Sequence, residues 1–184
     1  MYNEKLMPIL EDLENKEIEI AGGSVVGMVL STINSLIIYI SNLTLGKKRY
    51  EDVQGKIKEI LIEAEELKIK SLQAIDKDKK ILEEILEAYK IKKENKEKYQ
   101  EVCKNAVEFC MEVLNIAKNT LDLTEKIAKY GNKMLSSDFE ICKYYSIASI
   151  KSAIVNVEIN LKGIEDEVYK IEIQNKCNSI LEGI

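Results

Sequence analysis

Residues 21–46 read AGGSVVGMVLSTINSLIIYISNLTLG, and no charged side chain interrupts them. The chain around them has 184 residues, of which 32% are Asp, Glu, Lys or Arg. A run this long and apolar is sufficient for a membrane span. Its serines, threonines, Asn34, Asn42 and Tyr39 argue against that use, and its flanks carry no anchoring pattern. The expectation is a helix buried on all sides by neighbouring helices. The fold class follows as all-α, a single-domain bundle of long helices over residues 1–184 around this segment.

The flanking sequence supplies those neighbours. Residues 2–14 carry Leu6, Ile9, Leu10 and Leu13 as a helical stripe. From Tyr50 onward, Val53, Ile57, Ile60, Leu61, Ala64, Leu67 and Leu72 follow a three-four spacing, and Ile81, Leu82, Ile85, Leu86 and Tyr89 resume it. A break is expected near Asp76. Lys90–Lys98 (KIKKENKEK) reads as a solvated connection. Residues 101–129 are again periodic, and Tyr130-Gly131-Asn132 is expected to stop that helix through a left-handed glycine. Ser136, Ser137 or Asp138 would cap the next helix, which runs to about Leu161, and a last one covers 165–181. A single proline, Pro8, leaves all of these uninterrupted.

Composition excludes several chemistries. The chain has no histidine, so there is no Ser-His-Asp triad, no Cys-His pair and no imidazole acid or base. Proton transfer must use carboxylates, lysines, tyrosines, thiols or water. A net charge of −5, from 27 basic and 32 acidic residues, argues against nucleic acid as a partner. The four cysteines form no CxxC pair, and the charged, amphipathic N-terminal segment Met1–Leu13 does not resemble a signal peptide. Reduced thiols in a cytoplasmic protein are the expectation, and no metal-binding cluster is apparent.

Three places break the amphipathic pattern, and function tends to sit at such breaks. Gly22-Gly23-Ser24 opens the apolar helix, where paired glycines and free amide hydrogens suit either a tight turn or close approach to a ligand. Ser41–Tyr50 ends it with Asn42, Thr44, Gly46 and three consecutive cations, Lys47, Lys48 and Arg49. Those cations either complement the helix dipole or bind carboxylate or phosphate. Asn156 and Asn160, four apart on one face, sit among apolar residues, either as a structural amide ladder or as ligand contacts. Asp76 and Asp78 add a pair of carboxylates suited to capping or solvent.

Taken in order, these segments resemble the cyclodeaminase/cyclohydrolase family of folate enzymes. That family's GGS turn, apolar helix and NLT-x-GKK-x-Y segment are matched by Gly22-Gly23-Ser24 and Asn42–Tyr50. Its D-x-D and AYK segments are matched by Asp76, Asp78 and Ala88-Tyr89-Lys90. Its GN…SD and NV-x-INL-x-x-I-x-D segments are matched by Gly131-Asn132, Ser137-Asp138, Asn156–Leu161, Ile164 and Asp166. The chain departs from the pattern with Ile20-Ala21 before its glycines, Leu82 after D-x-D, and bulky Phe139-Glu140-Ile141 after Ser137-Asp138.

The resemblance implies an all-helical homodimer acting on a one-carbon tetrahydrofolate, with no metal and no cofactor beyond that substrate. The activity implied first is methenyltetrahydrofolate cyclohydrolase. The alternatives are a formiminotetrahydrofolate cyclodeaminase that releases ammonia, and a non-catalytic folate-binding or scaffold protein. The cyclohydrolase is preferred here because no formiminotransferase portion accompanies the domain. By the same resemblance, Asp138, Asp76 and Lys47 are the candidate catalytic residues. Gly22, Gly23, Ser24, Asn42, Thr44, Lys48, Arg49, Asn156, Asn160 and Asp166 are the candidate substrate contacts.

Overall fold

The computed structural model describes residues 2–15 and 20–184; Met1, at the start of the expected N-terminal segment, lies outside them. Six α-helices are found among the described residues: α1 (Tyr2–Glu14), α2 (Gly22–Thr44), α3 (Gln54–Lys90), α4 (Lys96–Tyr130), α5 (Ser136–Leu161) and α6 (Glu167–Glu182). Short 3-10 turns at Lys48–Val53 and Lys133–Leu135 lead into α3 and α5. The all-α expectation is met.

Helices α2 to α5 run alternately down and up as a four-helix bundle, the arrangement that short connections favour. The register is visible in side-chain hydrogen bonds. Ser24 at the start of α2 meets Asp78 late in α3. Halfway along, the buried Asn34 amide donates to Thr120 Oγ1 of α4 at 3.0 Å. At the far end Thr44 Oγ1 accepts from the Asn132 amide just beyond α4 at 3.0 Å. α6 packs against α5, whereas α1 packs extensively on no other element and leaves Leu6, Met7 and Leu10 exposed.

α2 contributes Val26, Leu30, Ile33, Ile37 and Ile40 to the core. Its buried hydroxyls cost little because Ser41 and Thr44 donate to the carbonyls of Ile37 and Ile40, one turn back. By length and composition α2 is able to cross a membrane, but here α3, α4 and α5 cover it on three sides. The expected burial on all sides is therefore corrected. Val25, Thr32, Ser35, Tyr39 and Asn42 face outward, since no fourth helix reaches them among the described residues.

Three further expectations change. α3 is continuous through Asp76, because residues 56–90 hold no glycine or proline and an aspartate inside a helix costs only a few tenths of a kcal/mol. None of Ser136, Ser137 or Asp138 caps α5 through its side chain. The preceding 3-10 turn runs straight into that helix, and Asn132 caps the turn by accepting from the Met134 amide. Gly131 ends α4 in an extended conformation, φ −75°, not a left-handed one. Glycine is needed there because a Cβ would stand 2.5 Å from the Ile127 carbonyl oxygen.

Two measurements test this packing. Ile37 is fully buried at the bundle centre, so Ile37→Ala is expected to lower unfolding free energy by about 2–5 kcal/mol in a denaturant melt. Burial first, then the nearby carboxylates of Asp78 and Asp138, push the Cys110 and Cys142 thiols from 9.0 up to about 12. The unfolded chain then loses these protons at lower pH than the folded one. Stability is expected to hold below pH 9 and to fall between about pH 9 and 12. A melt midpoint that stays level across that window would contradict the assignment.

Candidate active site

At one end of the bundle four helices converge on a single carboxylate. Asp78 of α3 turns its Oδ2 to the first turn of α2, where it accepts from the Ser24 amide at 2.8 Å and the Ser24 hydroxyl at 2.9 Å. α2 has no side-chain cap of its own at Ala21, so Asp78 supplies from a neighbouring helix the acceptor that an N-cap residue normally provides. Gly23 makes the approach feasible: a Cβ there would lie 2.1 Å from Asp78 Oδ1. That second oxygen has no hydrogen-bond partner among the described residues.

The wall opposite comes from α4 and α5. Cys110 of α4 is buried, and its thiol feels the Asp78 carboxylate. The Asn160 side-chain amide of α5 donates to Cys110 Sγ at 3.4 Å and to the Asn156 carbonyl at 2.8 Å. With its NH₂ group held by both, Asn160 leaves its carbonyl oxygen as the group able to accept from a ligand. Asp78 is half-buried, as are Asn156 and Asn160, while Gly22 is exposed.

The other sequence-derived residues gather at the opposite end. Ser24 and Thr44 are separated by about 30 Å of helix at 1.5 Å per residue. Thr44 is fully buried, with its hydroxyl committed to the Ile40 carbonyl and the Asn132 amide. The Tyr50 hydroxyl donates to Asn132 Oδ1 at 3.3 Å and accepts from the Lys133 amide at 3.0 Å. Gly46, at φ +72°, turns the chain out of α2 and donates its amide to Gln54 Oε1. Lys47 and Lys48 line an open groove of about 380 Å³ with Glu51 and Gln54. Lys47, Lys48 and Arg49 are exposed and enter no ion pair among the described residues, and Asn42 is exposed beside them.

Within one chain, therefore, the structure unites Gly22, Gly23, Ser24, Asn156 and Asn160 but separates them from Asn42, Thr44, Lys47, Lys48 and Arg49. Asp138, in the first turn of α5, belongs to the distant end. Asp76 is exposed on the side of α3 turned away from Ser24. Asp166 caps α6 by accepting from the Tyr169 amide and pairs with Lys104 at 2.9 Å. Those two contacts hold its carboxyl below the usual range. A surface groove of about 770 Å³ between α4 and α6 contains none of these residues.

Sequence reasoning ranked Asp76 above Asp78 and gave Cys110 no role. The discriminating signal was present. Residues two apart on a helix point some 200° apart, so only one of the pair can face the glycine turn. Leu67, Ser71 and Ala74, all buried, continue at three-four spacing onto Asp78. For Cys110 the only available signal was its place on the buried face of α4.

Comparisons with known proteins agree with the all-helical fold. The family described as formiminotransferase-cyclodeaminase matches residues 5–179. A methenyltetrahydrofolate cyclohydrolase of Methylorubrum extorquens is 26% identical over 97% of this chain and 89% of its own length. A formimidoyltransferase-cyclodeaminase of Gallus gallus is 25% identical over 88% of this chain, which spans only 31% of that longer protein. The crystal structure of a formiminotetrahydrofolate cyclodeaminase from Thermotoga maritima superposes with a TM-score of 0.88 at 29% identity, covering 97% of this chain and 90% of that one. With nearly its whole length matched, the chain belongs to the formiminotransferase-cyclodeaminase family.

Proposed function

We propose that this protein is a methenyltetrahydrofolate cyclohydrolase, opening the methenyl ring to 10-formyltetrahydrofolate, with Asp78 as its acid/base group. The observation that carries this reading is the Asp78 carboxylate itself. One oxygen is fixed by Ser24, and the other, over Gly23, has no hydrogen-bond partner among the described residues. The methenyl bridge is a cationic carbon between two nitrogens, and a carboxylate without a basic partner is the complement it requires. Asp78 Oδ1 takes a proton from a water molecule as its oxygen bonds to the bridge carbon. The tetrahedral carbon then collapses to a formyl group, and Asp78 returns the proton to the departing ring nitrogen. The second water proton leaves to solvent, which balances the lost cationic charge. Asn160, its amide oriented by Cys110 and the Asn156 carbonyl, accepts a hydrogen bond from the pterin.

The folate is substrate and water the co-reactant, so this route uses no further cofactor. Exposed Lys47, Lys48 and Arg49 suit the glutamate carboxylates of the substrate. Four free, buried cysteines fit a reducing cytoplasm, and the uncovered face of α2 fits a homodimer. A second reading is favoured by the Thermotoga maritima neighbour: cyclisation of the formimino group to methenyl with release of ammonia. It passes through the same tetrahedral carbon and uses the same carboxylate.

Loss of methenyltetrahydrofolate absorbance above the spontaneous rate is the direct assay. Acceleration is expected; its absence, with ammonia released from formiminotetrahydrofolate, would favour the second reading, and inactivity on both would overturn each. Asp78→Asn preserves an acceptor for Ser24 and is expected to fold while losing about 100-fold to 10,000-fold in turnover. Full activity in that variant would remove Asp78 from the mechanism. Gly23→Ala drives Asp78 away from Ser24. It is expected to cost about 0.5–2 kcal/mol of helix-start stability in thermal unfolding, together with most of the turnover.

A further inference from the structure

Asn160, whose side-chain amide meets Cys110, stands in the last turn of α5, which ends at Leu161. The last turn of a helix has free carbonyls and opens easily, so contacts from outside that turn have to hold Asn160 in place. α4 supplies them at three successive levels. At the first, Cys110 Sγ accepts from the Asn160 amide. About two helical turns earlier in α4, buried Cys103 packs against Gly163, where a Cβ would stand 3.0 Å from its Sγ and 3.3 Å from the Tyr99 hydroxyl. Nearer still to the start of α4, Gln100 spreads its side chain along the backbone of the same turn. Its Nε2 donates to the Gly163 carbonyl at 2.8 Å, and its Oε1 accepts from the Glu165 amide at 2.9 Å.

A primary amide suits that pair of groups, because it carries an acceptor and donors in one plane. It meets Gly163 and Glu165 much as a neighbouring strand would, and satisfies two backbone groups that lie outside any helix. Gly163 in turn donates its amide to the Asn160 carbonyl at 3.1 Å, so the clamp passes directly to the residue that faces the site. The ion pairs Lys96–Glu165 and Lys104–Asp166 cross the same joint. All four of their side chains are more than a third exposed, where such pairs contribute little. Gln100 is half-buried.

We propose that Gln100 is a positioning residue for substrate binding. It fixes the turn after α5 onto α4, and through that turn it holds the Asn160 side chain on Cys110. Gln100 itself touches no substrate. Its activity readout rests on the proposed role of Asn160; the geometry of the turn does not.

Gln100→Met keeps the length of the side chain and removes both hydrogen bonds. After circular dichroism has established folding, KM and kcat for methenyltetrahydrofolate are measured in the wild type, Gln100→Met, Asn160→Ala and the double variant. Gln100→Met is expected to raise KM about 2-fold to 13-fold, the net worth of one hydrogen bond, with kcat changed less than about twofold, the pattern of lost binding. In the Asn160→Ala background the same substitution is expected to leave KM within about twofold, because the two residues act as one unit. An unchanged KM in Gln100→Met, or KM rises that multiply in the double variant, overturns the proposal. Independently of any folate, labelling by N-ethylmaleimide, mapped by mass spectrometry, reads the turn itself. With buried Cys142 as the internal reference, Gln100→Met is expected to label Cys103 and Cys110 at least about threefold faster than the wild type. Equal rates overturn the clamp. A wild-type KM in Asn160→Ala, or a wild type inactive on folates, overturns the functional reading instead, and the labelling then decides the clamp alone. If Gln100→Met fails to fold, Gln100→Glu, which keeps the acceptor and loses the donor, replaces it with the same expectations.

Discussion

A long helix without a charged side chain has to be covered, and the bundle is the consequence of that constraint. Burying α2 removes a large apolar area from water, at roughly 25 cal/mol per Å². It also strands hydroxyls and amides that each need a partner. Most find one within α2 or on α4, as Ser41, Thr44 and Asn34 do. The start of the helix cannot solve its problem locally, because Ala21 offers no side-chain acceptor. A carboxylate reaching in from α3 solves it, and the candidate chemistry grows from that same carboxylate.

In the proposed mechanism one feature serves stability and function together. Asp78 caps α2 with one oxygen, and the proposal assigns the other to the substrate. Gly23 is indispensable to both, since any side chain there would occupy the space of the carboxylate. Cys110 contributes without reacting. Its thiol stays protonated well above neutral pH and serves as an acceptor that orients Asn160.

Much of this was legible in the sequence. The helices follow from three-four periodicity, and α2 stood out because charge disappears from residues 21–46 in a chain otherwise rich in it. The ordered motifs pointed to the family. What periodicity does not convey is which end of the bundle a motif occupies. Lys47 belongs to the motif that follows the glycine turn, yet helix length carries it some 30 Å from that turn, to the same end as Asp138. Helix caps were misread for a related reason. The acceptor for Ser24 lies fifty-four residues away in the chain, and local capping rules see only near neighbours. The open side of α2 was also hidden, because an apolar helix reads alike whether three of its sides are covered or all of them.

The most direct test of this account is a crystal structure of the protein with a bound folate. The account expects the one-carbon bridge beside Asp78 and Gly23 and the pterin near Asn160. A folate seated in the groove between α4 and α6, far from Asp78, would contradict it.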